Sequence, residues 1–160
     1  MRYAYPCRIV RDEEEARATG REAYTVTFPD VYGANTGAWS REEALALAQD
    51  CLDVALGMYV EARRDIPAPS PAGEAEVVVA VAPIVAAKLA LYTAMREQGV
   101  TNVALAERLG LQENAVRRLL DPGHRSHITS VEKALATLGR TLILEDRDVA
   151  EYVEAAAAPA

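Results

Sequence analysis

The segment Thr101-Asn102-Val103-Ala104-Leu105-Ala106-Glu107-Arg108-Leu109-Gly110-Leu111-Gln112-Glu113-Asn114-Ala115-Val116-Arg117-Arg118-Leu119-Leu120 carries the strongest local pattern in the chain. Ala106 stands four residues after Asn102, Gly110 four after Ala106 and Val116 six after Gly110. Two helices that cross closely need a small residue at the crossing, which Ala106 supplies. A tight turn needs a residue that takes positive φ without cost, which Gly110 supplies. The second helix must press an apolar, β-branched side chain into the first, and Val116 fits. Thr101 is placed to cap the first helix, and Leu105, Leu109, Leu111 and Leu119 are expected to be buried. The spacing predicts helices over 102–109 and 113–120 in a helix-turn-helix.

If the second helix lies in a DNA major groove, Gln112, Glu113, Asn114, Arg117 and Arg118 are the side chains that face it. Asn114 suits adenine edges and Arg117 guanine edges. Arg118, His124, Arg125 and His127 are expected to meet phosphates. An ordinary helical hairpin would use the same Ala and Gly. The helices predicted on either side and the local basic charge favour the DNA-binding reading.

Working outward, Pro83 suits the first turn of a helix over 84–98 that stops at Gly99. Val85, Leu89, Tyr92 and Met95 share one of its faces. Downstream, Thr129 and Glu132 suggest a capping box for a helix over 130–139. Thr141 to Leu144 reads as a short strand, and Asp148 to Ala157 as a last helix with a frayed, Ala-rich end. Upstream the pattern changes to strands. Tyr3 to Val10 alternates with a period near two, and Pro6 places that strand at an edge or a bulge. Tyr24 to Phe28 is a second strand and Asn35 to Trp39 a short third, with turn signals at Pro29, Asp30 and Gly33 between them. The charged run from Asp12 to Gly20 reads as an exposed connection. Ser40 and Glu43 form a capping box for a long helix to about Arg64. Its stripe of Ala44, Leu45, Ala48, Cys51, Leu52, Ala55, Leu56 and Tyr59 should face the sheet. Pro67, Pro69 and Pro71 make the next stretch extended. Val77 to Val81, apolar on both faces, then reads as a central strand. The first half is thus a β-β-β-α-β unit and the second half helical, which predicts an α+β chain.

The charge follows the same division. The 160 residues carry 17 basic and 24 acidic side chains, a formal net charge of −7. Residues 1–82 hold 8 basic and 14 acidic groups, net −6, and residues 83–140 hold 8 and 5, net +3. Residues 141–160 hold 1 and 5, net −4. A basic helical segment between acidic ones suggests two domains with different partners. No apolar run approaches the roughly 18 residues that cross a bilayer, and no signal-peptide pattern opens the chain, so the cytoplasm is the expected location. Cys7 and Cys51 sit in apolar patterns without metal-ligand spacing, as core thiols do. No cofactor is expected.

The layout resembles the HicB family of antitoxins in its longer form with a C-terminal helix-turn-helix, over roughly residues 3–144. The matching pieces are Tyr3-Ala4-Tyr5-Pro6, Phe28-Pro29-Asp30 with Gly33, and Ser40-Arg41-Glu42-Glu43-Ala44. They continue with Ile66-Pro67-Ala68-Pro69-Ser70 and the run from Lys88 to Glu97 that leads into the helix-turn-helix. Where the family usually has Pro-Gly, this chain has Tyr32-Gly33; Gln112 replaces the usual Ser or Thr cap, and Glu113 brings a negative charge towards the bases.

The resemblance implies a degenerate RNase H-like domain over 1–82 that neutralises a toxin. It implies a Cro/repressor-like DNA-binding domain over 83–145, with an acidic helical tail over 146–160. It also implies a partner: a small, basic, mRNA-cleaving toxin of the HicA type, covered by the N-terminal domain. Phe28, Asp30, Tyr32 and Trp39 are the candidate toxin contacts, with core packing the favoured role for Phe28. A homodimer or tetramer on a palindromic operator follows from the need for two recognition helices. Catalysis is not expected, because the first strand lacks the acid that an active RNase H needs for Mg²⁺. The alternative function is a stand-alone transcription regulator whose N-terminal domain senses a ligand or dimerises.

Overall fold

A computed structural model describes residues 3–145. The chain divides into two compact units. Among the described residues, the first comprises 3–55 and 67–81, and the second 56–66 and 82–145.

The first unit is built on β1 (Ala4–Arg11), α1 (Glu13–Thr19), β2 (Tyr24–Thr27), β3 (Asn35–Ala38), the larger part of α2 (Arg41–Glu61) and β4 (Val77–Ala80). All strand pairs are antiparallel, in the order β3-β2-β1-β4. This order corrects two expectations. β4 lies at the edge of the sheet, because apolar residues on both faces report what covers a strand and not how many strands flank it. β1 is internal despite Pro6. It is shared between neighbours by halves: Arg8–Arg11 pairs with β2, and Ala4–Cys7 pairs with β4. Pro6 falls in the half with one partner, opposite Val78, so its missing N–H breaks no ladder on the other side.

The charged run after β1 is also corrected, from a connection to the helix α1. Asp12 Oδ1 accepts from the Glu14 and Glu15 amides at 3.1 and 3.0 Å. Glu13, Glu14 and Glu15 fill the first turn, where the helix dipole favours negative charge. Gly20, at φ 68°, ends it. Ser40 caps α2 as expected, accepting from the Glu43 amide at 3.1 Å. The Glu43 carboxylate reaches one residue further back than a capping box requires, to the Trp39 amide at 2.7 Å. Ala44, Ala48, Leu52 and Ala55 are fully buried, whereas Leu45 is exposed. Gln49 donates to the Ala80 carbonyl at 2.8 Å, which ties α2 to the edge strand.

The second unit holds the end of α2, α3 (Pro83–Glu97), α4 (Asn102–Leu109), α5 (Glu113–Leu120) and α6 (Ile128–Thr137). Helix α2 ends without glycine: Arg63 takes φ 54°, a conformation that costs a side-chain-bearing residue. Its neighbours hold it there. Arg96 donates to the Arg63 carbonyl at 2.9 Å and to Asp65 at 2.7 Å, and the Tyr92 hydroxyl donates to the Arg64 carbonyl at 2.8 Å. Gln98 donates to the Leu138 carbonyl at 2.9 Å, and Arg140 pairs with Glu97, joining the ends of α3 and α6.

Three further expectations are corrected in this unit. Helix α6 starts at Ile128 with His127 as an uncapped N-cap, so Thr129 lies inside the helix rather than capping it. Leu111 is exposed, since it follows the turn glycine and its side chain is not on the packed face of either helix. Thr141 to Leu144 forms no strand; its β-forming side chains have no sheet within this unit to extend, and Ile143 is 83% exposed. The helix expected over Asp148 to Ala157 lies outside the described residues.

Cys7 is buried on β1, with its thiol pushed up to about 11 by burial first, then by Cys51 and Glu76 nearby. Cys51 on α2 is only half-buried, and burial raises its thiol as well. Native-state alkylation at pH 8 is therefore expected to label Cys51 well before Cys7, with Cys7 reacting only on unfolding. Equal labelling rates by mass spectrometry would contradict this packing.

Candidate functional site

The helices α4 and α5 take the boundaries that residues 101–120 predict. Thr101 Oγ1 accepts from the Ala104 amide at 3.2 Å. Gly110 sits at φ 64°, and its amide and that of Leu111 both return to the end of α4. Leu105, Ala106 and Val116 are buried between the helices. On α5 the apolar Val116, Leu119 and Leu120 face inward, and Asn114, Arg117 and Arg118 face solvent with Glu113 half-buried at their edge. Arg117 is not idle: its Nε and Nη2 both donate to Glu113 Oε1, at 3.1 and 2.7 Å. Arg118 Nε donates to the Asn114 carbonyl at 3.3 Å. Gln112 is the N-cap residue but makes no side-chain cap bond.

What fixes the far end of α5 is a buried cation. Lys88, on α3, is 0% exposed. Its ammonium donates to the carbonyls of Arg118 at 3.4 Å, Asp121 at 2.6 Å and His124. The last carbonyls of a helix have no intrahelical partner and carry the negative end of its dipole, so a cation there is well placed. Burial pushes the Lys88 ammonium below its ordinary 10.5, while Asp121 pulls the other way. The turn that follows is held by Asp121, which accepts from the Gly123 amide at 2.9 Å. That turn presents His124 and Arg125, both exposed, and His124 Nδ1 lies 3.4 Å from the Ser126 hydroxyl.

In the first unit Phe28, Asp30 and Tyr32 lie in the loop after β2, and Trp39 follows β3. Phe28 is buried and packs in the core. Asp30 accepts from the Ser70 amide at 2.7 Å and its hydroxyl at 3.0 Å. It thereby anchors the proline-rich segment, which Tyr5 also holds through the Pro67 carbonyl at 2.8 Å. Tyr32 is 84% exposed and Trp39 42% exposed. The Arg21 guanidinium stacks over the Trp39 ring at 4.6 Å from its centre. Glu13, Glu14, Glu15, Glu22, Glu42 and Glu43 of the same unit are exposed. Among the described residues, no three His, Cys, Asp or Glu side chains converge to hold a metal ion, and no helix is long and apolar enough to cross a membrane.

Residues 4–90, which include the whole sheet and α2, match the family described as the HicB_like antitoxin of bacterial toxin-antitoxin systems. The chain belongs to the HicB-like antitoxin family. Antitoxin HicB 2 of Photorhabdus laumondii is 40% identical over 140 residues, 88% of this chain and 94% of that one. Antitoxin HicB of Pseudomonas fluorescens is 45% identical over 119 residues, 73% of this chain and 79% of the relative. Antitoxin HicB of Escherichia coli K12 is 33% identical over 121 residues, 76% and 88% of the two chains. The family match ends inside α3, so α4 and α5 lie beyond it, whereas the 140-residue likeness necessarily extends past residue 90. A HicB antitoxin belongs to a toxin-antitoxin system, and so to a toxin partner.

The sequence-predicted residues thus gather into two groups, one in each unit. Gln112, Glu113, Asn114, Arg117 and Arg118 share α5, and His124 and Arg125 the turn after it. Asp30, Tyr32 and Trp39 remain in the first unit at or near its surface, while Phe28 joins the core. Three contacts were missed: Lys88 beneath α5, Ser70 on Asp30 and Arg21 on Trp39. Only Lys88 left a signal, as a lone charge three residues after Val85 and four before Tyr92, on the buried face of α3. Replacing Lys88 with Met keeps the packing but strands its carbonyl partners. Urea unfolding should show a loss of about 1–3 kcal/mol; an unchanged midpoint would mean that the ammonium does not hold α5.

Proposed function

We propose that this HicB antitoxin binds and inhibits a cognate HicA-type, mRNA-cleaving toxin through its first unit. We further propose that it represses its own operon through α4 and α5, acting as a helix-turn-helix of the Cro/repressor type. In this reading the first unit is a degenerate RNase H-like domain that has no catalytic role, and α1 is an addition between its first two strands. The toxin half is carried by exposed Tyr32 and Trp39 on a unit rich in exposed acids, with a net charge of −6 over residues 1–82. A basic ribonuclease is drawn to such a surface, and aromatic side chains supply the desolvated anchor that charge alone does not. Asp30 acts in this reading by shaping the loop that presents Tyr32.

The DNA half is supported by the αL turn at Gly110, the buried Val116 and the solvent-facing polar row of α5. Asn114 and Arg117 would read base edges. Arg118, His124 and Arg125 would meet phosphates, with Gln112 at the helix start. A segment charge of +3 gives one copy little non-specific affinity. A homodimer or a dimer of dimers on a palindrome, with half-sites about 34 Å apart, is therefore the binding form.

A short basic reading frame is expected beside this gene, and the direct test is co-expression with it in bacteria. Growth should be rescued, and failure of rescue would sink the antitoxin-toxin pairing. Recovery of the protein without a stoichiometric protein partner would favour a stand-alone regulator. Tyr32→Ala combined with Trp39→Ala should weaken toxin binding at least about tenfold by calorimetry, with the thermal transition of the fold unmoved. Arg117→Ala should lower operator affinity by about 1–3 kcal/mol and relax one base position; an unchanged mobility shift would remove Arg117 from the recognition surface.

A further inference from the structure

Resting on the DNA reading of α5, we infer that Glu113 and Arg117 act as one base-reading unit that selects a G·C pair. The two residues lie one helical turn apart on the same face and are already joined, with Arg117 Nε and Nη2 both on Glu113 Oε1. Their side chains are 40% and 63% exposed, with the smaller value on Glu113. The pairing consumes one edge of the guanidinium. The other edge, Nη1 with the second Nη2 hydrogen, is the fork that matches O6 and N7 of guanine. The bonds from Arg117 end on Oε1, so Glu113 Oε2 accepts neither of them.

Held side by side, the two groups present donor, donor, acceptor in a row. The major-groove edge of a G·C pair presents acceptor, acceptor, donor: N7 and O6 of guanine, then the N4 amino group of cytosine. The rows are complementary. An A·T pair presents an acceptor, a donor and an acceptor, so the Arg117 fork would meet the N6 amino group and Glu113 would meet the O4 acceptor. Glu113 thus turns from a repulsive charge near the bases into the element that rejects A·T. The ion pair also fixes the Arg117 side chain before binding, which lowers the ordering cost of reading the base.

Selection of binding sites by the full-length protein from a randomised duplex library tests this. The wild type should enrich a site with one strongly preferred G·C pair per half-site. Glu113→Ala and Arg117→Ala should each relax that same position about tenfold against A·T. The double variant should relax it no further than Arg117→Ala alone, because the two act as a unit. Both positions face solvent, and Val116, Leu119 and Leu120, which hold α5 to the unit, are untouched. If Glu113→Ala leaves the preference intact, or relaxes a different base pair from Arg117→Ala, the inference is overturned and the DNA reading stands. If no sequence is enriched at all, both fall.

Discussion

A single buried ammonium organises the second unit. Lys88 gathers three carbonyls from the end of α5 and the turn after it, and so fixes that turn to α3. An unpaired charge at such a site would cost several kcal/mol. Three acceptors and the helix dipole compensate it, and because they converge from one stretch of chain they also set the direction of that chain. The orientation of α5, and with it the row of polar side chains that α5 displays, follows from satisfying Lys88. The apolar contacts of Val116, Leu119 and Leu120 hold the helix against the unit but resist rotation or sliding less well, since apolar burial is non-directional.

The first unit solves a comparable problem with neutral and anionic groups. A proline-rich segment has few amides to donate and no ladder to join, so it must be tied down by side chains. Tyr5 and Asp30 do this from opposite ends of the early chain, the first through the Pro67 carbonyl and the second through Ser70. The segment then delivers Val77–Ala80 to the open flank of β1, the half that carries Pro6. Pro6, Tyr5 and the Pro67–Ser70 stretch are therefore parts of one device. That explains why these short motifs occur together in the sequence.

Where local chemistry decides, the sequence was enough to read the structure. The bounds of α4 and α5, the Thr101 and Ser40 caps and the Gly110 turn each depend on residues within one or two turns. Two of the differences arise where a distant partner decides, and one where a local signal has two readings. The place of β4 in the sheet depends on which flank of β1 is open, and that is set by a long return of the chain. By its charge the run from Asp12 to Gly20 suggests a solvated connection, whereas acids in a first turn after an Asp cap are a helix signal in their own right. For α2, the absence of a stop glycine hid an ending made by Arg63 and secured by Tyr92 and Arg96 from another helix. The candidate contacts on α5 were legible from spacing alone. The Lys88 anchor was legible only as an anomaly in the apolar face of α3, and its partners were not.

Charge, too, changes meaning once its neighbours are known. Residues 83–140 carry a formal +3, but the basic side chains are not equal contributors to an outward field. Lys88 is buried against carbonyls, and Arg96 and Arg140 are spent on Asp65 and Glu97. Arg117 is paired within its own helix. The exposed cations that remain in residues 83–140 are Arg108, Arg118, Arg125 and Lys133. On the proposed DNA reading, a surface with so few outward charges would release few counterions, so its grip on phosphates would be weak and its affinity would have to come from base edges and from doubling. An antitoxin built this way gains little from indiscriminate DNA binding. On the proposed reading, a phosphate backbone approached by the second unit would repel the acidic first unit, and a bound basic toxin would cancel that repulsion. Toxin occupancy and operator affinity would then be coupled by electrostatics before any change of shape is invoked.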